Sequence, residues 1–221
     1  MTPEEILKAL YEETLTGNAP RVLDLTNQGL ELDMEPQSLL FDALIPSLEE
    51  VGARFERGDF FVPEMLIAGR AMAGAMERLR PLLAETGVET IGKFLMGTVK
   101  GDVHDIGKNL VNIMLEGAGF EVIDLGVQVA PEKFVEAIDL HQPDIVGFSA
   151  FLTTTMPMFK ANINALEKAG MRNDVIVMVG GAPVTQEYAD AVGADGYAAD
   201  ASQTVRRAKA LIEAKRAKVM A

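Results

Sequence analysis

The sequence predicts an α/β protein, an N-terminal four-helix bundle followed by a doubly wound sheet of five parallel strands. Two patterns carry this. Apolar residues recur at three- and four-residue steps through about residue 85, whereas from residue 92 short apolar runs alternate with helical stretches. With 221 residues and 48% hydrophobic content, the chain has enough apolar material for a core in each half.

Pro3, Glu4 and Glu5 open the first helix, which carries Ile6, Leu7 and Leu10 on one face through Tyr11 before Gly17-Asn18-Ala19-Pro20 breaks it. Residues 21–28 form the second, stopped at Gly29. Pro36 starts the third, with Leu39, Leu40, Ala43, Leu44, Leu48 and Val51 at helical steps. After Gly58-Asp59, Pro63 begins the fourth, which ends at Pro81. Phe55, Phe60, Phe61 and Val62 gather apolar bulk around the intervening turn, either as a staple closing the bundle or as a lid over the second domain. Met65, Met72 and Met76 recur at helical steps and read as core filler.

A polar stretch marks the domain boundary, giving a helical domain at 1–85, a linker at 86–91 and an α/β domain at 92–221. Strands are expected at 91–99, 120–125, 144–149, 175–179 and 196–199. Helices are expected from Ile106 to the Gly117 stop, then at 131–140, 157–169, 185–191 and 202–215. The result is a flavodoxin-like order of alternating strands and crossover helices.

The net charge of −13 disfavours a nucleic-acid backbone or an anionic membrane as partner. Arg206, Arg207, Lys209, Lys215, Arg216 and Lys218 lie at helical spacing and read as a solvated face. The acidic start at Thr2-Pro3-Glu4-Glu5 is unlike a signal peptide, and no long apolar run occurs, so a cytoplasmic protein is expected. Without cysteine, the nitrogen ligands available to a metal reduce to His104 and His141. His141 falls where a turn should enter the third strand, a surface position.

Gly101-Asp102-Val103-His104-Asp105-Ile106-Gly107-Lys108 links the first strand to its helix, at the sheet edge where open α/β proteins bind ligands. It is not a nucleotide loop. The G-x-G-x-x-G pattern is absent, five residues separate Gly101 from Gly107 where a phosphate loop has four, and Asn109 follows Lys108 in place of Ser or Thr. A phosphoacceptor receiver would need an aspartate after the third strand and a lysine after the fifth. Ser149 and Ala198-Ala199 stand there instead. Asp102 and His104, two residues apart, allow the carboxylate to orient one imidazole nitrogen while the other is offered to a metal. One histidine holds a bare ion poorly, but a metal already caged in a macrocycle needs a single axial ligand. The other strand ends, Ser149 to Thr155 and Gly180-Gly181-Ala182-Pro183, leave a slot for a long polar tail.

Asp102-x-His104-x-x-Gly107, Ser149-x-Phe151 and Gly180-Gly181 together resemble the base-off, histidine-on cobalamin-binding signature of methionine synthase and of the corrinoid proteins of methyl-transfer systems. The segment from Val51 to Glu64 is similar to that family's cap. The resemblance implies that the loop Gly101, Asp102, Val103, His104, Asp105, Ile106, Gly107 lines the cofactor and that His104 is the lower axial ligand of cobalt. It further implies that the cofactor tail lies by Ser149, Phe151, Thr153, Gly180 and Gly181, that Asp102 and Thr155 form a relay with His104, and that Phe55 and Val62 cover the upper face. Thr155 stands where the family often has serine, Phe151 where leucine is usual, and Val62 where leucine is frequent. The implied activity is methyl carriage on a corrinoid between a substrate-specific methyltransferase and a second methyltransferase with a folate-type or thiol acceptor, supported by a reductive activation protein. A cobalamin-sensing regulator or a storage and trafficking protein are the alternatives.

Overall fold

The computed structural model describes residues 1–85 and 90–219, which belong to two compact units. The first takes in the N-terminal helices with Glu116–Gly119, and the second the rest of the chain from Thr90. Of the expected linker at 86–91, residues 86–89 lie outside the described residues.

Helix α1 (Pro3–Leu15) starts with a reciprocal cap in which the Glu5 amide donates to Thr2 Oγ1 at 3.2 Å and the Thr2 amide donates to the Glu5 carboxylate at 2.8 Å. It runs beyond Tyr11 because Thr14 is buried on the same face, and it gives way at Gly17, whose φ of 76° suits a left-handed turn. Helix α2 (Ala19–Glu31) buries Val22, Leu25 and Thr26, the last with its hydroxyl donated to the Val22 carbonyl at 2.8 Å.

The third predicted helix is built from α3 (Pro36–Leu39), a π-helical turn (Leu40–Leu44) and α4 (Ile45–Arg57) in direct succession. Pro46 accounts for the widened turn: it has no N–H to donate, and in a regular helix its ring would collide with the carbonyl four residues back. Gly58, at φ 77°, ends α4, and the Asp59 amide returns to the Arg54 carbonyl at 2.9 Å. Helix α5 (Val62–Glu85) continues through Pro81, where the apolar pattern predicts an end. Proline forfeits one hydrogen bond there, while buried Leu79 and Leu83 keep that turn packed. Leu10, Leu25, Leu48, Met65 and Met72 fill the core of this unit.

The apolar turn before α5 is no staple. Phe60 lies beneath the Arg54 guanidinium, 5.1 Å from its ring centroid, but Phe61 and Val62 are 64% and 38% exposed. The core position at the start of α5 is taken by Met65 instead.

The second unit follows as β1 (Lys93–Thr98), α6 (Ile106–Gly117), β2 (Glu121–Asp124), α7 (Pro131–His141) and β3 (Ile145–Ser149). After these come α8 (Pro157–Lys168), β4 (Ile176–Gly180), α9 (Gln186–Val192), β5 (Gly196–Ala198) and α10 (Ala201–Val219). The strand order is β2-β1-β3-β4-β5, every neighbouring pair parallel. Order reverses at β1, so the connections leaving β1 and β3 diverge and open a crevice at their carboxyl ends. Gly97 keeps β1 close to α7, since a Cβ there would come within 2.8 Å of the Phe134 ring. That ring packs edge-on against Phe148 at 4.8 Å.

His141 is the last residue of α7, before Gln142 at φ 47°, so it closes a helix where a turn was expected. The basic residues of α10 are not all a solvated face. Lys215 donates to the Asp174 carbonyl at 2.6 Å and Arg216 to the Ile91 carbonyl at 3.0 Å, tying the helix to chain entering the sheet. Among the described residues no helix is long and apolar enough to cross a membrane.

Candidate functional site

The loop from β1 to α6 is shaped by its own backbone. Gly101 takes φ 86°, the Asp102 amide donates to the Val99 carbonyl at 3.1 Å, and the Gln128 amide donates to the Asp102 carbonyl at 3.0 Å. The Thr98 hydroxyl donates to the His104 carbonyl at 3.0 Å. These bonds sink the Asp102 side chain out of solvent altogether while His104 stays 45% exposed.

Asp102 is the hub. Its Oδ1 accepts the His104 amide at 3.0 Å and faces His104 Nδ1 at 2.8 Å. Its Oδ2 accepts the amides of Phe151 at 2.8 Å and Leu152 at 3.1 Å and the Thr155 hydroxyl at 2.8 Å. Burial by itself would raise the carboxyl pKa. The donors outweigh it, first the His104 and Phe151 amides, then the imidazole and the Thr155 hydroxyl, and hold the group well below the ordinary carboxylate range. Asp102 is therefore an anion that only accepts hydrogen bonds.

An ionised Asp102 places the shared hydrogen on His104 Nδ1, which makes Nε2 the lone-pair nitrogen. Nε2 has no protein partner among the described residues. The imidazole is stacked on Phe151, with ring centroids 4.3 Å apart and planes 29° from parallel. Around it Val103, Ile106, Phe151 and Leu152 are 57%, 67%, 52% and 38% exposed, an apolar surface beside the imidazole.

Asp105 immediately precedes α6, its carbonyl accepting the Asn109 amide at 2.7 Å, and Gly107 faces open space, with nothing within 4 Å of where a Cβ would stand. Ser149 ends β3 in register with Thr98 of β1 and Gly180 of β4, so these three close one row at the carboxyl edge. Gly181 is obligatory, because a Cβ would fall 1.9 Å from the Ala150 carbonyl oxygen. Thr153 is exposed on the turn after β3. The structure thus brings Asp102, His104, Phe151 and Thr155 into contact and sets Ser149 beside Gly180. Phe55, half-buried on α4, and Val62, at the start of α5, belong to the first unit.

Lys108 is buried and paired with Asp124 and with Asn109 Oδ1, so it is not offered to a phosphate. Three supporting groups were missed in the sequence: Thr98, the Leu152 amide and the Gln128 amide. The first carried only the weak signal of a hydroxyl at a strand end, and backbone donors carry none.

No group of three or more His, Cys, Asp or Glu side chains able to hold a metal ion occurs among the described residues. A single oriented imidazole suits a metal whose other ligands come from elsewhere.

Comparison with known proteins places the chain among B12-binding proteins. Two family models described as B12 binding domain match, one over residues 92–206 and one over residues 6–80. The chain is similar to dimethylamine corrinoid protein 1 of Methanosarcina acetivorans, 40% identical over 96% of this chain and 100% of that protein. Trimethylamine corrinoid protein 2 of the same organism is 38% identical over 95% and 98%. Among solved structures, the methanol:cobalamin methyltransferase complex MtaBC from Methanosarcina barkeri matches with a TM-score of 0.83 at 27% identity, covering 95% of this chain and 80% of that one.

Proposed function

The chain belongs to the B12-binding corrinoid proteins of methyl transfer, and from that premise we propose that His104 Nε2 is its axial ligand to the cobalt of a bound corrinoid. The protein is a methyl carrier working between methyltransferases. One observation carries the ligand assignment: an imidazole whose Nδ1 is engaged 2.8 Å from a fully buried carboxylate and whose Nε2 is left for a partner outside the protein. The donor set fits the group, since a corrinoid fills the equatorial positions itself and its ring is matched by the apolar surface of Val103, Ile106 and Leu152.

When bound, the corrinoid supplies a cobalt centre that takes up and releases a methyl group. The protein's share is positional and electrostatic. Asp102 and Thr155 hold the Nδ1–H tautomer, which would leave the Nε2 lone pair for the metal, with the buried Asp102 anion as the charge beside the imidazole. Ser149, Thr153, Gly180 and Gly181 are assigned to the cofactor tail, and Gly101, Asp105 and Gly107 to the loop beside it. Residues 92–221 form the cofactor-binding half in this reading, and residues 1–85 a separate helical cap domain.

The donor-side partner is a methyltransferase for a small methylated amine, the substrate class named in relatives of about 40% identity. The acceptor-side partner is a second methyltransferase with a folate-type or thiol acceptor, and a reductive activation protein is the third partner. A cytoplasmic setting suits such partners.

The test is the visible spectrum of the protein after loading with hydroxocobalamin and removal of the free cofactor. Wild type should retain corrinoid with a histidine-type axial band, and His104→Ala should lose the band or the cofactor. An unchanged spectrum in the variant would sink the assignment.

A further inference from the structure

Phe151 meets the Asp102–His104 pair twice. Its amide donates to Asp102 Oδ2 at 2.8 Å, and its ring lies on the imidazole at 4.3 Å and 29°. The first contact fixes the Phe151 backbone against the carboxylate, and the second uses that anchor to cover one face of the histidine. The Nδ1 hydrogen bond alone leaves the imidazole free to pivot about the bond, and a planar neighbour in stacking contact removes that freedom. A leucine at this position would supply bulk without a plane.

We propose that Phe151 is a positioning residue that sets the aim of His104 Nε2, and thereby both the affinity for a corrinoid and the fraction held through the histidine. This rests on His104 being the axial ligand. The imidazole is pre-ordered before the cofactor arrives, so binding loses less side-chain freedom.

Three proteins decide it: wild type, Phe151→Leu and Phe151→Tyr. Because the ring is half exposed, neither substitution opens a core cavity. Two readouts are taken on each. One is the proton NMR of the His104 ring in the cofactor-free protein, distinguished from the single other histidine by His141→Gln. The other is hydroxocobalamin affinity together with the axial band. Wild type and Phe151→Tyr should show the His104 ring protons displaced upfield by the aromatic face. Phe151→Leu should lose that displacement, bind roughly fivefold more weakly, on the scale an aromatic pair contributes, and shift its spectrum toward the water-ligated form.

Wild-type affinity and band in Phe151→Leu would overturn the proposal, as would identical ring-proton shifts in all three proteins. If His104→Ala kept the wild-type band, the ligand assignment would fall and this proposal with it. That failure is recognisable because the NMR displacement, which involves no cofactor, would persist.

Discussion

The two ends of the sheet use the same chemistry for different purposes. At the amino end, Asp195 accepts the Val177 amide at 2.7 Å and the two terminal guanidinium nitrogens of Arg172 at 3.0 Å, Asp144 accepts the Lys93 amide at 2.9 Å, and Lys215 and Arg216 cap backbone carbonyls. There, charge is spent closing the backbone's own hydrogen bonds. At the carboxyl end Asp102 also gathers amides, yet one of its five donors is an imidazole with a second nitrogen. A carboxylate that only gathers backbone donors and one that also orients an imidazole differ by that single partner.

The comparison is broken most sharply at its hub. Asp102→Asn replaces an acceptor with a group that carries two N–H donors, so one side of the network faces donor against donor. It should cost about 2–3 kcal/mol in urea unfolding, the price of buried donors left unpaired, and should also weaken the axial band. The ligand-presenting hub would then carry both a stability and a binding role.

Acid sharpens the same contrast. Asp102 is depressed in the folded protein below its unfolded value near ~3.9, so its contribution to stability is fully present above about pH 4 and fades as pH falls further toward the folded value. Unfolding curves at pH 7 and pH 3 should show wild type losing part of its advantage over Asp102→Asn at the lower pH, roughly 1 kcal/mol for one pH unit below the unfolded value. A constant advantage would mean that the carboxylate's charge is not what the donors recognise.

The smallest effect is expected at the other end. Arg172→Ala removes a bidentate, partly exposed pair and the bond from its guanidinium to the Gly193 carbonyl, and should cost about 1 kcal/mol while leaving hydroxocobalamin binding and its axial band untouched. A change in the band would show that the two ends are coupled and that the contrast is too simple.

Much of this was legible in the sequence, and the places where it was not are instructive. The link from β1 to α6 stood out because two carboxylates, an imidazole and two glycines occupy seven residues, and Asp102 and His104 could be paired from their spacing alone. Thr155 entered through resemblance. The basic run in α10 reads correctly as solvent-facing at Arg206, Arg207 and Arg216, but sequence marks which charges recur at helical steps and not that Lys215 and Arg216 reach backbone carbonyls. Pro81 misled similarly: it signals a helix end, and buried Leu79 and Leu83 overrode it. Phe61 and Val62 suggested a staple, but apolar character near a turn does not say which side chain turns inward.

What the sequence determined by itself was the element types, the doubly wound class and the pairing of Asp102 with His104 in one loop, because periodicity and turn residues act within a few positions. What only the tertiary structure decided was the environment of Asp102 and His104. Three of the five Asp102 donors lie 49, 50 and 53 residues away, and the aromatic ring on His104 comes from the same distant turn. They meet because β1 and β3 are neighbours in parallel register, with Thr98 opposite Ser149. Strand order depends on how whole faces are buried against one another, and no local spacing in the chain encodes it.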